Sequence, residues 1–320
     1  MAYDRNIFSY NALSNFIETT GDPLIKSLFQ KLNTKNFELI MQQLDNFCEI
    51  VEIFSDDKTL VPKIKAVSEK LKNSLIDAVK ELHPEHVFKV PEEKSQACIQ
   101  FLQEYLNKNG LVFSTNYDLL LYWVLMRNGA DNAIDGFGRD LETDLDDGHY
   151  VEPDDLEYSE LRWGKYKEEQ TVYYLHGTLP IFDTGINIVK AQYDEEHYLL
   201  QNVKDRIDKK EYPIFVTAGN GKEKLTHIMH NKYLSFCYDQ LCNIEGSLVT
   251  FGFNFGEYDT HIIDAINVAA KMGRKIPDKL WSVYIGVYSD ENLKHIIEIK
   301  DKFKCKVTPY NARTANIWGT

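Results

Sequence analysis

From Gly110 onward, short apolar runs alternate with amphipathic stretches, and this alternation constrains the fold more than any other feature of the sequence. Short apolar runs bounded by glycine or polar residues are typical of buried strands in parallel sheets. They occur at 111–114, 172–175, 214–217, 248–251, 281–287 and 305–307. Helical patterns separate most of them, at 119–126, 225–241, 261–272 and 293–303. Strands that alternate with helices predict an α/β fold with a doubly wound, Rossmann-like parallel sheet.

The first third of the chain has a different pattern. Apolar residues recur at helical spacing, for example at Leu24, Leu28 and Leu32, and the stripe continues through 37–54. Similar patterns cover 60–82 and 97–106. We therefore divide the chain into a helical region at 1–109, interpreted as an insertion packed on the sheet, and an α/β nucleotide-binding domain at 110–320.

The charge and the cysteines exclude several classes of protein. The formal net charge is −13, so a nucleic-acid backbone would be repelled on average and we expect no such partner. No apolar run approaches the roughly 18 residues that a membrane-spanning helix needs, so we expect no membrane association. The five cysteines are odd in number and form no CxxC pair, which favours reduced thiols. These features predict a cytoplasmic protein.

Polar side chains follow the first predicted strand, directly before a helical pattern. The segment reads Ser114-Thr115-Asn116-Tyr117-Asp118. Ligands of doubly wound sheets bind beyond the carboxyl ends of the strands, so Asn116 and Asp118 are expected at that crevice. Ser, Thr, Asn and Asp also cap helices well. For this segment alone, the capping interpretation is as well supported as the functional one.

Two further strand ends carry similar side chains. His176 and Gly177 follow 172–175, and a histidine can act as a base near neutral pH, although a single histidine is more often structural. After 248–251, Gly252 permits close backbone approach, Asn254 could bond a ribose or adenine edge and Asp259 could cap the next helix. The alternative there is a plain strand–turn–helix connection. We expect the three strand ends to converge within roughly 15 Å around a solvent-filled crevice.

In this order on successive strand ends, the segments STNYD, LHG and FGFN-x4-D resemble the sirtuin-like NAD-binding domain. More closely, they resemble a bacterial, uncharacterised branch related to the NAD hydrolases of anti-phage defence systems. The segment at 216–220, followed by 222–241, also resembles that branch. The resemblance covers roughly 110–320. It implies an NAD+ glycohydrolase that takes NAD as its substrate, acting as an anti-phage effector, with a second copy or a defence-system protein as partner.

The same resemblance implies roles for individual residues. Asn116 would orient the nicotinamide ribose and a water, His176 would be the general base, and Asp118 would support the hydrogen-bond network. NAD-binding positions would be Ser114, Thr115, Gly177, Gly252, Asn254 and Asp259, the last three on the adenosine side. Nicotinamide leaves as a neutral base from an oxocarbenium-like state. The enzyme must therefore desolvate the ribose and position one polarised nucleophile.

Two departures from the family pattern bear on function. Deacylating sirtuins carry a four-cysteine zinc ribbon, whose spacing is missing here, so we expect no bound metal and rank a deacylase lowest. His227 and His230, spaced i,i+3, are better interpreted as a surface pair than as metal ligands. Family members also open with a strand and a glycine-rich loop that holds the pyrophosphate. Here the first glycine is Gly21 and no apolar strand precedes it.

The missing loop leaves two interpretations open. Either the true start lies upstream of Met1 and the chain is truncated, or the loop has been lost. Loss of the loop favours a second class of function, a nucleotide-binding or scaffolding module without turnover.

Overall fold

The computed structural model describes residues 22–32, 37–82, 86–139, 142–143, 150–151, 160–192, 198–209, 211, 213–216 and 220–317. Within these ranges the chain is a mixed α/β structure with parallel strands. Two features of the sequence discussed above lie outside the described residues: Gly21 and positions 217–219 of the segment at 216–220.

The helical pattern of the first third is confirmed for the described residues. Four helices form there: α1 (Pro23–Lys31), α2 (Phe37–Phe54), α3 (Leu60–Leu82) and α4 (Glu92–Leu106). Helix α1 begins where Asp22 accepts a hydrogen bond from the Leu24 N–H at 2.8 Å, with a proline at the first helical position. The buried stripe of α4, from Cys98 to Leu106, packs into the same core as the parallel strands.

Parallel pairing joins five of the predicted strands in two groups. Strand β1 (Val112–Ser114) pairs with β6 (Val172–Tyr174). The order β10-β11-β12 holds for β10 (Gly246–Thr250), β11 (Leu280–Val287) and β12 (Lys306–Asn311). Residues from both groups contribute to one hydrophobic cluster. The parallel character predicted for these strands is confirmed.

The structure also contains an antiparallel sheet that the sequence pattern did not predict. Its order is β2-β5-β8-β7-β9, comprising β2 (Phe137–Arg139), β5 (Leu161–Trp163), β7 (Gly177–Asp183), β8 (Ile188–Lys190) and β9 (Pro213–Phe215). The prediction of parallel pairing is therefore wrong for 214–217, because β9 runs antiparallel to β7. At the start of β7, Gly177 has φ +76, a left-handed backbone that turns the chain directly after His176. A two-stranded antiparallel pair, β3 (Glu142–Thr143) and β4 (Tyr150–Val151), completes the strands.

Helices α5 (Leu120–Arg127), α6 (Leu199–Asp208), α7 (Gly221–His230), α8 (Lys232–Cys242), α9 (Thr260–Ala269) and α10 (Asp290–Ile299) follow or separate the strands. The single helix predicted at 225–241 is divided in two at Asn231. That residue has extended backbone angles, and its side chain accepts hydrogen bonds from the Tyr233 and Leu234 N–H groups, which begins α8. Among the described residues, no helix is long and apolar enough to cross a membrane.

Two hydrophobic clusters hold these elements together. The first contains the parallel strands with α4, α8 and α9. The second joins the N-terminal helices to β7, β8 and α6 through residues such as Leu71, Phe182 and Val203. The ends of β1 and β6 thus project from a packed core, which fixes the position of the residues that follow them.

Candidate functional site

Parallel pairing brings the residues that follow β1 and β6 together. The ladder extends one step beyond Tyr174, because the Leu175 N–H donates to the Ser114 carbonyl at 2.8 Å. The next residue is His176, and the backbone of Thr115 acts on the pKa of its ring. Two of the three predicted strand ends are therefore in direct contact.

His176 is buried, with 5% of its surface exposed, so the expectation that it faces a solvent-filled crevice is wrong. Its Nε2 lies 2.8 Å from Nε2 of His261, and the two rings stack with centroids 5.1 Å apart. Burial lowers the pKa of His176 well below its ordinary value, and the nearby His261 and Lys224 lower it further. The imidazole is therefore neutral at neutral pH.

The two Nε2 atoms face each other, so one of them carries the proton of the hydrogen bond and the other accepts it. The other nitrogen of His261, Nδ1, is buried and has no hydrogen-bond partner among the described residues.

His261 is a site residue that the sequence analysis missed. It lies in the first turn of α9, is 1% exposed, and has its pKa lowered to about 4 by burial and then by Lys224, while Asp259 opposes these effects. Its position two residues after Asp259 was the available signal. A histidine inside a helical pattern carries little information until its partner in another element is known.

A buried ion pair lies beside the two histidines. Lys224 of α7 donates to Oδ1 of Asp259 at 2.8 Å, and the lysine is 7% exposed. Asp259 precedes α9 but makes no capping hydrogen bond, so the interpretation of Asp259 as a helix cap is wrong. Its carboxylate instead compensates the buried ammonium of Lys224, because an unpaired buried charge is strongly unfavourable.

The N-termini of α7 and α9 approach each other closely at this ion pair. A Cβ atom at Gly221 would lie 2.0 Å from Oγ1 of Thr260, so only glycine fits between the two helices. Helix α7 is capped by Asn220, whose side chain accepts from the Lys222 and Glu223 N–H groups. Two helix N-termini, each with a partial positive charge, therefore point toward one region next to the histidine pair.

Asn116 and Asp118, which follow the first predicted strand, differ in their exposure. Asn116 is exposed, and its side-chain amide makes no hydrogen bond to any described residue, so it does not cap α5. Its backbone N–H donates to Oγ of Ser114 at 3.1 Å. Asp118 is buried, accepts from the Leu120 N–H at 2.9 Å, and has its pKa raised to about 6 by burial. Asp118 therefore bonds the first residue of α5 from the position before its N-cap, Leu119. Asn116 is available for a ligand.

Asn254, which follows the third predicted strand, makes no hydrogen bond to the histidine pair. Its side chain has one partner in the described part of the chain, Nδ2 of Asn292 at 3.4 Å, at the start of α10. Gly252 has φ +69, and a Cβ atom there would meet nothing within 4 Å. The glycine thus meets a backbone requirement, and the prediction that it permits close approach is wrong.

No group of three or more His, Cys, Asp or Glu side chains in the described ranges is arranged to hold a metal ion. His227 and His230 lie on α7, where Nδ1 of His230 contacts the Thr226 carbonyl at 2.6 Å. The site that the structure brings together consists of Thr115, His176, Lys224, Asp259 and His261, with Asn116 at its exposed side.

Comparison with known proteins identifies the family of the chain. No curated protein matches the chain significantly. A family model described as a domain of unknown function matches residues 1–318, which is nearly the whole chain, including both the helical first third and the strands that carry the candidate site. The chain therefore belongs to the family called DUF4917.

Proposed function

We propose that the chain binds NAD beyond the carboxyl ends of β1 and β6 and hydrolyses its nicotinamide–ribose bond. The reaction is NAD+ and water giving ADP-ribose, nicotinamide and a proton. The observation that carries this proposal is the hydrogen-bonded His176–His261 pair, because Nδ1 of His261 is buried without a partner among the described residues. This nitrogen is an acceptor in the tautomer in which Nε2 of His261 donates to His176. A water or a ribose hydroxyl is a donor of the kind that this nitrogen lacks.

The histidine pair provides a path for the proton of the attacking water. The water oxygen bonds to C1′ of the ribose as the bond from C1′ to the nicotinamide nitrogen breaks, and the electron pair leaves on nicotinamide. The water proton passes to Nδ1 of His261, whose Nε2 proton is already shared with His176. In this arrangement His261 is the catalytic residue, and His176 is a positioning residue because its Nε2 fixes the ring of His261.

The surroundings of the pair support an anionic ligand. The N-termini of α7 and α9 meet at Gly221, and helix N-termini stabilise phosphate groups through their N–H groups and dipoles. Asn116 has an exposed amide that can bond a ribose hydroxyl, in keeping with its proposed role of orienting the ribose. Gly252 and Asn254 lie at the end of β10, and we keep them as adenosine-side residues within this proposal.

We also propose that the parallel strands form a doubly wound, sirtuin-like sheet. The parallel groups β1-β6 and β10-β11-β12 contribute to one core and are separated along the chain by helices, which supports a doubly wound, sirtuin-like arrangement. Ligands of such sheets bind at the carboxyl ends of the strands, where His176 lies. The anti-phage role rests on the resemblance to defence-system NAD hydrolases, and the cytoplasmic location rests on the cysteine pattern and the short apolar runs of the sequence.

A second candidate, a nucleotide-binding module without turnover, is favoured by a specific observation. His176 is 5% exposed and its Nε2 is engaged by His261, which is also how a structural histidine is arranged. Under this alternative, the pair stabilises the junction of α9 with the strands. NAD would bind without being cleaved.

Nicotinamide release from NAD+ tests the proposal. We expect the wild-type chain to release nicotinamide, and we expect His261→Ala and His176→Ala to reduce the rate by about 10²–10⁴-fold, as loss of general-base assistance does. His230→Ala is the matched control, because His230 is exposed on α7 and outside the pair. Equal rates in all four proteins would contradict the assigned site. NAD binding without release of nicotinamide would support the module without turnover.

A further inference from the structure

A second cavity, of about 520 Å³, lies among α5, β2, β6 and β8. None of the residues assigned to the NAD site lines it. Its volume is within the range of small-molecule pockets. The chemistry of its walls therefore determines what kind of molecule it accepts.

One wall of this cavity is aromatic. Tyr122, Phe137 and Tyr174 are buried side chains that reach the cavity, and Tyr166 forms part of its exposed rim. Two of these rings already hold a cation within the protein. The ammonium of Lys190 lies 5.0 Å from the centroid of the Tyr122 ring and 5.2 Å from that of Phe137. Ring faces that carry negative potential attract cations of this kind.

The charges of the lining are not balanced. Among the described residues of the lining, Asp131, Asp135 and Glu169 contribute three carboxylates, and Lys190 is the one cation. Lys190 is hydrogen-bonded to Asp135 and neutralises it. Asp131 and Glu169 have no ion-pair partner among the described residues. The cavity therefore repels anions and attracts cations.

A tyrosine hydroxyl adds a polar group to this wall. Tyr174 is 2% exposed and lines the cavity, and no hydrogen bond of its hydroxyl to a described residue is found. Such a hydroxyl can pair with water or with a ligand. An N–H donor on a bound molecule would pair with this oxygen.

We propose that this cavity binds a small organic cation, a protonated amine on an apolar or aromatic body. The body packs against Tyr122, Phe137 and Tyr166, and the ammonium faces Asp131, Glu169 and the Tyr174 oxygen. This site is separate from the one proposed for NAD, and its ligand is of a different chemical class.

Three matched probes test the charge preference: benzylammonium, benzyl alcohol and benzoate, which share a ring and differ in charge. Binding to the full chain is measured by saturation-transfer NMR and calorimetry at pH 7. Benzylammonium is expected to bind most tightly, benzyl alcohol more weakly and benzoate not at all. Benzoate binding as tight as that of benzylammonium, or binding of none of the three probes, would overturn the proposal.

Two variants locate the binding. Glu169→Gln and Asp131→Asn keep the shape of exposed side chains and remove one charge each, so we expect both proteins to fold. Each is expected to weaken benzylammonium binding about two- to five-fold, the effect of one exposed charge, and to leave benzyl alcohol unchanged. Glu104→Gln, on α4 and outside the cavity, is the control. Benzylammonium affinity that is equal in all three variants would show that the cation binds elsewhere and would refute the assignment.

Discussion

The buried histidine pair predicts a loss of stability at mildly acidic pH. The pKa of His261 in the folded protein is about 4, lowered mainly by burial, and a histidine in an unfolded chain has a pKa near ~6.5. Below ~6.5 the unfolded state binds a proton that the folded state excludes. The free energy of unfolding therefore falls as the pH falls, and this loss is complete once the pH is below the folded pKa.

The size of this effect follows from the two pKa values. Between pH 7 and pH 5, the His261 contribution lowers the free energy of unfolding by about 2 kcal/mol, and by about 3 kcal/mol at pH 4. His176 adds a loss of the same sign, because burial lowers its pKa as well. The loss occurs in the window between the unfolded and folded pKa values.

Urea unfolding followed by circular dichroism at pH 7 and pH 5 measures this contribution. His261→Gln removes the titrating ring and keeps a donor for His176. The fall in its free energy of unfolding from pH 7 to pH 5 should therefore be about 2 kcal/mol smaller than that of the wild type. His230→Gln, exposed on α7, should follow the wild type. An equal pH dependence in His261→Gln and the wild type would refute the assignment of a buried, neutral histidine pair.

Three further predictions concern neighbouring positions. Gly221→Ala places a Cβ atom 2.0 Å from Oγ1 of Thr260 on the facing helix and should lower the free energy of unfolding in urea by about 1–3 kcal/mol. Gly252→Ala adds a Cβ atom in open space on a left-handed backbone and should lower it by about 1 kcal/mol. Lys224→Met leaves Asp259 partly buried without its cation and should destabilise the chain by about 2–4 kcal/mol in the same assay; an unchanged stability would contradict the buried ion pair. Asn116→Ala should change the free energy of unfolding by less than about 0.5 kcal/mol, since its exposed amide has no partner among the described residues, while nicotinamide release falls at least about tenfold. Full activity in this variant would remove Asn116 from the site.

The sequence pattern predicted the parallel strands well, for a physical reason. Strands such as Val172–Tyr174 are buried on both faces and read as continuous apolar runs. Residues directly after such strands lie at the carboxyl edge, and the ladder of β1 and β6 continues there from Ser114 to Leu175, next to His176. The same reasoning did not extend to Asn254, because the turn at Gly252 directs it toward α10.

The antiparallel sheet could not be predicted from the hydrophobic periodicity of the sequence. Strands β2, β5, β8 and β9 are three residues long, too short to show alternation, and β7 is buried along almost its whole length.

Two site residues were missed by the sequence analysis for a different reason. Lys224 and His261 lie on helices, where a charged or polar residue normally reads as exposed, and their burial depends on contacts between helices that are distant in sequence.

Product analysis of NAD+ incubated with the wild-type chain tests the central claim most directly. The account predicts equimolar nicotinamide and ADP-ribose, with a rate that saturates with NAD+ and is lost in His261→Ala while His230→Ala retains it. Saturable NAD+ binding with no products in the wild type would contradict the proposed hydrolase.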